Sequence, residues 1–402
     1  MQLSRLAGSI SPSVTLEINN KAAQMREAGE PVIHLGGGEP VSLAPESAVD
    51  AAIAKLQTRA LRYGPADGDM ALKREICKHT KQWYGIDVKP ENVCISAGTK
   101  QSVMVCLQSL VDPGEEVILL APYWVSYPEM VRICGGEPIV VQPQANLEPT
   151  LADIERAVTD KTKVIMINSP NNPSGVIYSD ALLRGIVELC ERRGIWLMSD
   201  DIYQQLDFDR DKPTTVMDFA TKPFNENSIV LLNGVSKAYA MTGFRSGWAV
   251  TPPALRKAMS SLQGQQTSGP SIIGQVAAIG ALSGPQDSVA KLCDHLRANR
   301  ELLCAKLAGH PTIRFARPSG AFYCFPDFNA AERDSRKLAN YLVETAKVVT
   351  VPGVDFGMDG HLRLSTCGGS EDLANGLERI CWALDPDSPR ETEIGGVRLR
   401  KS

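Results

Sequence analysis

The sequence predicts an α/β protein made of a large, doubly wound, mostly parallel-sheet domain and a smaller α+β domain. Three observations carry this expectation. Between about residues 90 and 250, short apolar runs rich in β-branched residues recur, and each stops at a polar or glycine-containing turn, as buried parallel strands do. Helical stretches lie between most of these runs, and alternating strands and helices build a doubly wound sheet. Beyond about residue 290 the strict alternation is lost, which points to a second domain of a different type.

Taken in order, residues 1–45 carry glycine and proline around LGGGEP (35–40) and read as an arm and crossing segment that joins the small domain. Residues 46–290 form the expected large domain. Its clearest strands are VCIS (93–96), VILLAP (117–122), KVIMINSP (163–170), IWLMSD (195–200) and SIVLLNG (228–234), with WAV (248–250) as a shorter one. In the segment 179–193, Leu182, Ile186, Leu189 and Cys190 fall at i, i+4, i+7 and i+8, one stripe of a helix. Residues 291–385 form the expected small domain, with a helix over 293–310 and strand-like pieces in RFARPSGAFYCFPDF, VVTVPGVDF and HLRLST. Residues 386–402 read as a polar, frayed tail.

Composition narrows the function classes. A chain of 402 residues with 43% hydrophobic content can bury cores for two domains. With 42 basic against 46 acidic residues, the net charge of -4 gives no reason to expect nucleic acid or an anionic membrane as partner, so small molecules are the default ligands. The start, MQLSRLAGSISPSV, lacks the apolar stretch of a secretory signal, and no run approaches the roughly 20 apolar residues of a spanning helix. The 10 cysteines are scattered with no CxxC pair, which fits a reducing compartment, and a cytoplasmic protein is expected. The 5 histidines are dispersed without ligand spacing, so no metal is expected.

Ligands of open α/β sheets bind beyond the carboxyl ends of the strands, which directs attention to the residues there. After VCIS comes the turn Ala97, Gly98, Thr99, Lys100 and then a helical run. Amides at such a helix start suit a phosphate, and a plain glycine turn reads the same way. NSPNNPSG (168–175) either redirects the chain or offers side-chain amides to a ligand. Asp200 either caps the next helix or holds a cationic ring nitrogen. In SKAYAMTGFR (236–245), Lys237 sits in a weakly polar stretch near Arg245. A lysine desolvated close to other cations has its pKa lowered and becomes a usable amine nucleophile.

SKAYAMTGFRSGWAV resembles the lysine segment of class I aminotransferases of fold type I, and LGGGEP, PYWVSYPEM, NSPNNPSG, SDDIY and HLRLST occur in that family's order. The resemblance covers about residues 1–385 and is nearest to the bacterial-type aspartate aminotransferase branch. It implies an aspartate aminotransferase-like fold, pyridoxal 5'-phosphate as cofactor, amino acid and 2-oxo acid substrates, and a homodimer with shared active sites. By this resemblance Lys237 carries the cofactor as a Schiff base and moves the substrate's Cα proton, while Asp200 pairs with the ring nitrogen. Asn172 and Tyr203 bond the ring's phenolic oxygen, and Trp124 stacks on its face. Gly98, Thr99, Ser236 and Arg245 hold the phosphate, and Tyr63 reaches the phosphate of the neighbouring subunit. Arg363 clamps the substrate α-carboxylate, with help from the Gly38 amide, Trp124 and Asn172.

Lys100 and Thr15 match the residues that line the distal-carboxylate end in dicarboxylate-using members, so aspartate, glutamate and 2-oxoglutarate are the expected substrates. Three positions depart from the family pattern. Members that also use prephenate carry a basic residue before the Pro-Ser of the arm, where this chain reads Ser11, Pro12, Ser13, which argues against prephenate. Val41, Ser42 and Leu43 stand where an acidic and an aromatic residue usually follow GlyGluPro. Gly234 replaces a phosphate-binding serine of some relatives, leaving Ser236 and the backbone to carry that grip. The same lysine, aspartate and arginine also serve aromatic or neutral amino acid transaminases and lyases on this fold.

Overall fold

The structure, a computed structural model, describes residues 4–10 and 14–401, without the side chains of residues 5, 9, 14–17 and 19. Ser11, Pro12 and Ser13 lie outside the described residues, as does the Thr15 side chain. The short strand β1 (Ile33–His34) comes first in the chain. A seven-stranded sheet follows, made of β2 (Val93–Ser96), β3 (Glu116–Leu120), β4 (Glu137–Val141), β5 (Thr162–Asn168), β6 (Trp196–Asp200), β7 (Ile229–Gly234) and β8 (Gly247–Val250). Their spatial order is β2-β8-β7-β6-β5-β3-β4. The pairs from β7 across to β4 are parallel, and β8 alone runs antiparallel to both its neighbours.

Period-two alternation builds a core on each face of this sheet. Val117, Leu119, Val164, Met166, Met198, Val230 and Leu232 point to one side, against the helices Thr99–Leu110 and Pro253–Thr267. Ile118, Leu120, Ile165, Ile167, Leu197, Ile229 and Leu231 point to the other, against Met70–Tyr84 and Asp180–Arg193. The second of these helices starts where Ser179 Oγ accepts from the Leu182 amide at 3.2 Å, and its apolar stripe is the one the spacing predicts. Edge strand β4 went unmarked in the sequence. Its EPIVV is half-exposed and contains Pro138, which an edge tolerates because no ladder bond is needed on its open side.

The remaining strands are short. They are β9 (Tyr323–Cys324), β10 (Val348–Val349), β11 (Val351–Pro352) and β12 (Leu362–Ser365). β1 pairs in parallel with β10, and the antiparallel order β11-β12-β9 fixes the register Val351↔Arg363. The helix expected over 293–310 is longer and earlier, Asp287–Leu307. With Ser370–Leu384 it encloses a separate apolar cluster that takes in Ile33 and Leu35 from the arm.

The frayed tail expected over 386–402 is instead a hairpin of β13 (Glu391–Ile394) and β14 (Val397–Arg400). Ile394 and Leu399 alternate inward into that second cluster, and Trp382 Nε1 donates to the Pro389 carbonyl at 2.8 Å. Gly395 and Gly396 both lie in the left-handed region, at φ 61° and 70°, as a two-residue hairpin turn requires. Among the described residues no helix is long and apolar enough to cross a membrane.

Candidate active site

A cavity of about 330 Å³ opens at the carboxyl ends of β5, β6 and β7, where the sheet topology leads one to look. Eleven of the sequence-predicted residues line it: all except Gly98, which lies just behind, Tyr63, which does not reach it, and Thr15, whose side chain is outside the description. Tyr63 is 93% exposed on the turn after the helix Glu46–Gln57.

Asp200 is buried at the last position of β6. It accepts from the Tyr127 hydroxyl at 2.6 Å and from the Ile202 amide at 3.3 Å. Burial pushes its carboxyl up to about 6, against the pull of these two bonds and of the Lys237 charge. Lys237 follows β7 and donates to the Gly38 carbonyl at 2.7 Å, so the arm segment enters the site through its carbonyl. Desolvation brings the lysine down to about 8; Glu39 and Cys367 resist that shift, and Arg363 and Arg245 add to it.

Arg363, on β12, is only 1% exposed. Its Nη1 donates to Asn172 Oδ1 at 3.0 Å and its Nη2 to the Gly36 carbonyl at 2.8 Å, and the guanidinium lies over Tyr323, 4.6 Å from the ring centre. Among the described residues its buried Nε has no hydrogen-bond partner. Asn172 Nδ2 reaches the Tyr203 hydroxyl at 3.5 Å, which in turn meets the Tyr323 hydroxyl at 3.2 Å. Burial raises the Tyr203 phenol well above its ordinary range.

At the other side of the cavity, β2 ends in a turn where Gly98 has φ 84° and caps the helix Thr99–Leu110. A Cβ on Gly98 would stand 2.5 Å from Arg245 Nη2, so the turn can bring backbone against guanidinium only as glycine. Arg245 is itself left-handed at φ 53° and bridges the Thr242 carbonyl (2.9 Å) and the Ala97 carbonyl (3.2 Å). Holding a non-glycine residue there costs about 1 kcal/mol, a strain typical of ligand clamps. Gly234 has a steric reason as well: a Cβ there would meet Thr99 Oγ1 at 2.6 Å, so the Thr99 hydroxyl fills the room a serine would need. Lys100 Nζ lies 4.7 Å over the Trp124 ring, and burial and Arg245 both lower its pKa.

Sequence reasoning missed Tyr127, Tyr323 and Asn168 in this cavity. Tyr127 was legible in principle, since it stands three positions after Trp124 within PYWVSYPEM, at the start of the helix Ser126–Ile133. Asn168 holds the Asp200 carbonyl at 2.7 Å and the Asn172 amide at 2.8 Å, tying the ends of β5 and β6 together. No sequence signal marks Tyr323, whose partners come from distant segments. Among the described residues no group of three potential ligands is placed to hold a metal ion.

The site offers a buried acid, a desolvated amine, and a helix start beside a guanidinium, which together match a ligand with a basic ring nitrogen, an aldehyde and a phosphate. The Arg363 Nε is a further donor that no described residue satisfies. These residues fit pyridoxal phosphate. The model of the family described as aminotransferase class I and II matches residues 30–380, and the chain belongs to this family of pyridoxal-phosphate-dependent transaminases, in the aspartate aminotransferase branch.

The aspartate aminotransferase of Geobacillus stearothermophilus is 38% identical over 387 residues, covering 94% of this chain and 98% of that protein. A probable aspartate/prephenate aminotransferase of Thermus aquaticus is 36% identical, covering 95% and 99%. Among solved structures, the aspartate aminotransferase from Thermus thermophilus with maleate superposes with a TM-score of 0.89 at 35% identity, covering 95% of this chain and 99% of that one.

Proposed function

We propose that this transaminase moves the amino group of a dicarboxylic L-amino acid, aspartate first, to a 2-oxo acid such as 2-oxoglutarate. The observation that carries this reading is the pair of cationic side chains in one cavity: Arg363 for the α-carboxylate and Lys100, poised over Trp124, for the distal one. The maleate in the Thermus thermophilus relative is itself a dicarboxylate. Thr15 joins Lys100 at that end in this reading.

Pyridoxal phosphate, when bound, supplies a ring that accepts the electron pair left at the substrate Cα. The protein's part is to aim and to move protons. Lys237, lowered to about 8, has a share of neutral amine near physiological pH, and would carry the cofactor and then move the proton between the substrate Cα and the cofactor's C4′ carbon. Asp200, held in place by Tyr127, would supply the counter-charge for the ring nitrogen. Asn172 and Tyr203 serve the phenolic oxygen, Trp124 the ring face, and Gly98, Thr99, Ser236 and Arg245 the phosphate. Arg363, already bridged to Asn172 and Gly36, is preorganised to receive a carboxylate at its remaining donors, and Gly38 lines the same cavity.

The active unit in this reading is a homodimer in which Tyr63 completes the neighbour's phosphate site. Its support is the 93% exposure of Tyr63 and the apolar face that Val49, Ile53 and Leu56 leave exposed at i, i+4 and i+7 of the helix Glu46–Gln57. Residues 46–290 form the cofactor-binding domain and 291–385 with part of the arm the small one; a separate apolar cluster with Leu303, Leu338, Leu362 and Leu377 supports a core for the small domain, while Leu292, Leu296, Phe322 and Tyr323 pack into the core of the large one. Ten free thiols support a cytoplasmic location.

A panel of half-reactions tests the substrate assignment. Protein loaded with pyridoxal phosphate is mixed with aspartate, glutamate, alanine or phenylalanine, and the loss of visible absorption and the products are followed. Aspartate converts the cofactor fastest and yields its 2-oxo acid; release of ammonia would indicate a lyase instead. Lys100→Ala loses roughly 10- to 100-fold on the two dicarboxylates and far less on the other two, the size of one charge-assisted hydrogen bond. Equal losses on all four would defeat the distal-carboxylate role. Borohydride reduction and peptide mapping should find the pyridoxyl group on Lys237.

A further inference from the structure

A second acid stands behind the one that faces the cavity, and the reaction outlined above makes no use of it. Asp201 follows Asp200 at the end of β6, and alternation along the chain turns the two carboxylates to opposite sides. Asp201 is buried and accepts from Ser199 Oγ at 2.6 Å and from the Tyr84 hydroxyl at 2.9 Å. Among the described residues it makes no ion pair. Burial pushes its carboxyl up to about 7, against those two bonds, so the fold tolerates an acid where a neutral residue would be easier to keep.

The bonds do not stop at Asp201. Tyr84 ends the helix Met70–Tyr84, and its hydroxyl also accepts from Asn233 Nδ2 at 3.3 Å. Asn233 lies in β7, four positions before Lys237, and its Oδ1 accepts from the Gly234 amide at 2.8 Å. Its backbone carbonyl accepts from Thr99 Oγ1 at 2.9 Å. A continuous chain therefore runs beneath the cavity from the strand end that bears Asp200 to the segment that bears Lys237 and to the turn that begins the helix at Thr99. The Asp201 amide adds a bond to the Leu232 carbonyl at 2.8 Å, locking the ends of β6 and β7.

We propose that Asp201 is a positioning residue: through Tyr84 and Asn233 it fixes the spacing of Asp200, Lys237 and Thr99, and so sets how tightly the cofactor is held and how well the amine is aimed. Such a chain acts as a unit, because the Tyr84 hydroxyl both accepts from Asn233 and donates to Asp201, so the loss of one link frees the next. The inference rests on Lys237 and Asp200 being the cofactor residues proposed above.

The test uses Tyr84→Phe, Asp201→Asn and the double variant in the full chain. Cofactor affinity is measured by titrating cofactor-free protein and following the visible absorption, beside kcat, KM for aspartate and the melting temperature. Each single change weakens cofactor binding and lowers kcat by about tenfold, leaves KM within about twofold, and the double variant is no worse than the stronger single one. Melting temperatures lowered with cofactor affinity and kcat unchanged would mean a purely structural role and overturn the proposal, as would losses that multiply in the double variant. Borohydride labelling of the parent separates the two ideas. No label on Lys237 defeats the cofactor assignment itself, whereas a labelled Lys237 with unaltered variants defeats only the chain.

Discussion

Lys237 owes its chemistry to where it sits. An exposed lysine stays protonated to about pH 10, whereas here desolvation, with Arg363 and Arg245 adding to it, brings the amine to about 8. A lowered lysine pKa means the neutral, nucleophilic form appears as pH rises through 8. The rate at which cofactor-free protein combines with pyridoxal phosphate should therefore climb about tenfold per pH unit below that value and level off above it. Stopped-flow absorption measures it, and a rate still climbing near pH 10 would show that burial does not perturb the amine. Asp200 is tuned the opposite way, raised to about 6 by burial, so in its proposed role it would offer a cationic ring nitrogen an acid already stripped of water. Asp200 and Lys237 were legible as candidates because they end or closely follow an apolar run, and Arg363 because its motif HLRLST stands in a recognisable order. The pKa shifts of Lys237 and Asp200 were not, since they come first from burial among segments far apart in the chain and then from neighbours such as Glu39, Arg363 and Tyr127.

At the scale of elements, the central strands were legible because a strand buried on both faces must be apolar at every position, and such runs stand out against glycine-rich turns. β4 escaped because an edge strand is relieved of that demand and can carry Glu137 and Pro138. The terminal hairpin escaped for a related reason: its outer face is charged, with Glu391 opposite Arg400 and Glu393 opposite Arg398, and only every second position is apolar over very few residues. Its Gly395–Gly396 turn was the signal available. The hairpin closes one side of the second apolar cluster, so Ile394→Ala should lower stability by roughly 2–4 kcal/mol. Urea unfolding followed by circular dichroism measures this, while kcat at 25 °C in the absence of urea stays near that of the parent, because no residue of the hairpin lines the cavity. A loss under about 0.5 kcal/mol would return the segment to the status of a loose tail.

The whole molecule brings together residues from the arm, the sheet and the region after it: Gly38 touches Lys237, and Asn172 touches Arg363 across 191 positions of chain. The proposed dimer extends this sharing to a second copy. If Tyr63 completes the neighbouring site, then Lys237→Ala and Tyr63→Ala, each impaired alone, should complement when their subunits are mixed. A mixed dimer holds one site with an intact Lys237 facing an intact Tyr63, and random exchange should restore about a quarter of the parental activity. Activity that never exceeds the mean of the two variants, or a sedimenting monomer, would place both residues within one chain.

The order of apolar runs, turns and chemically distinctive residues along the chain already determined the fold class and the cofactor and singled out Lys237 as the candidate amine, because those depend on local pattern and on residue types that few other functions assemble in that order. Tertiary structure alone decided that Tyr127 steadies Asp200, that Thr99 fills the space beside Gly234, and that the last residues fold back onto the core. Each of these depends on distances between segments far apart in sequence, and one-dimensional spacing carries no record of them.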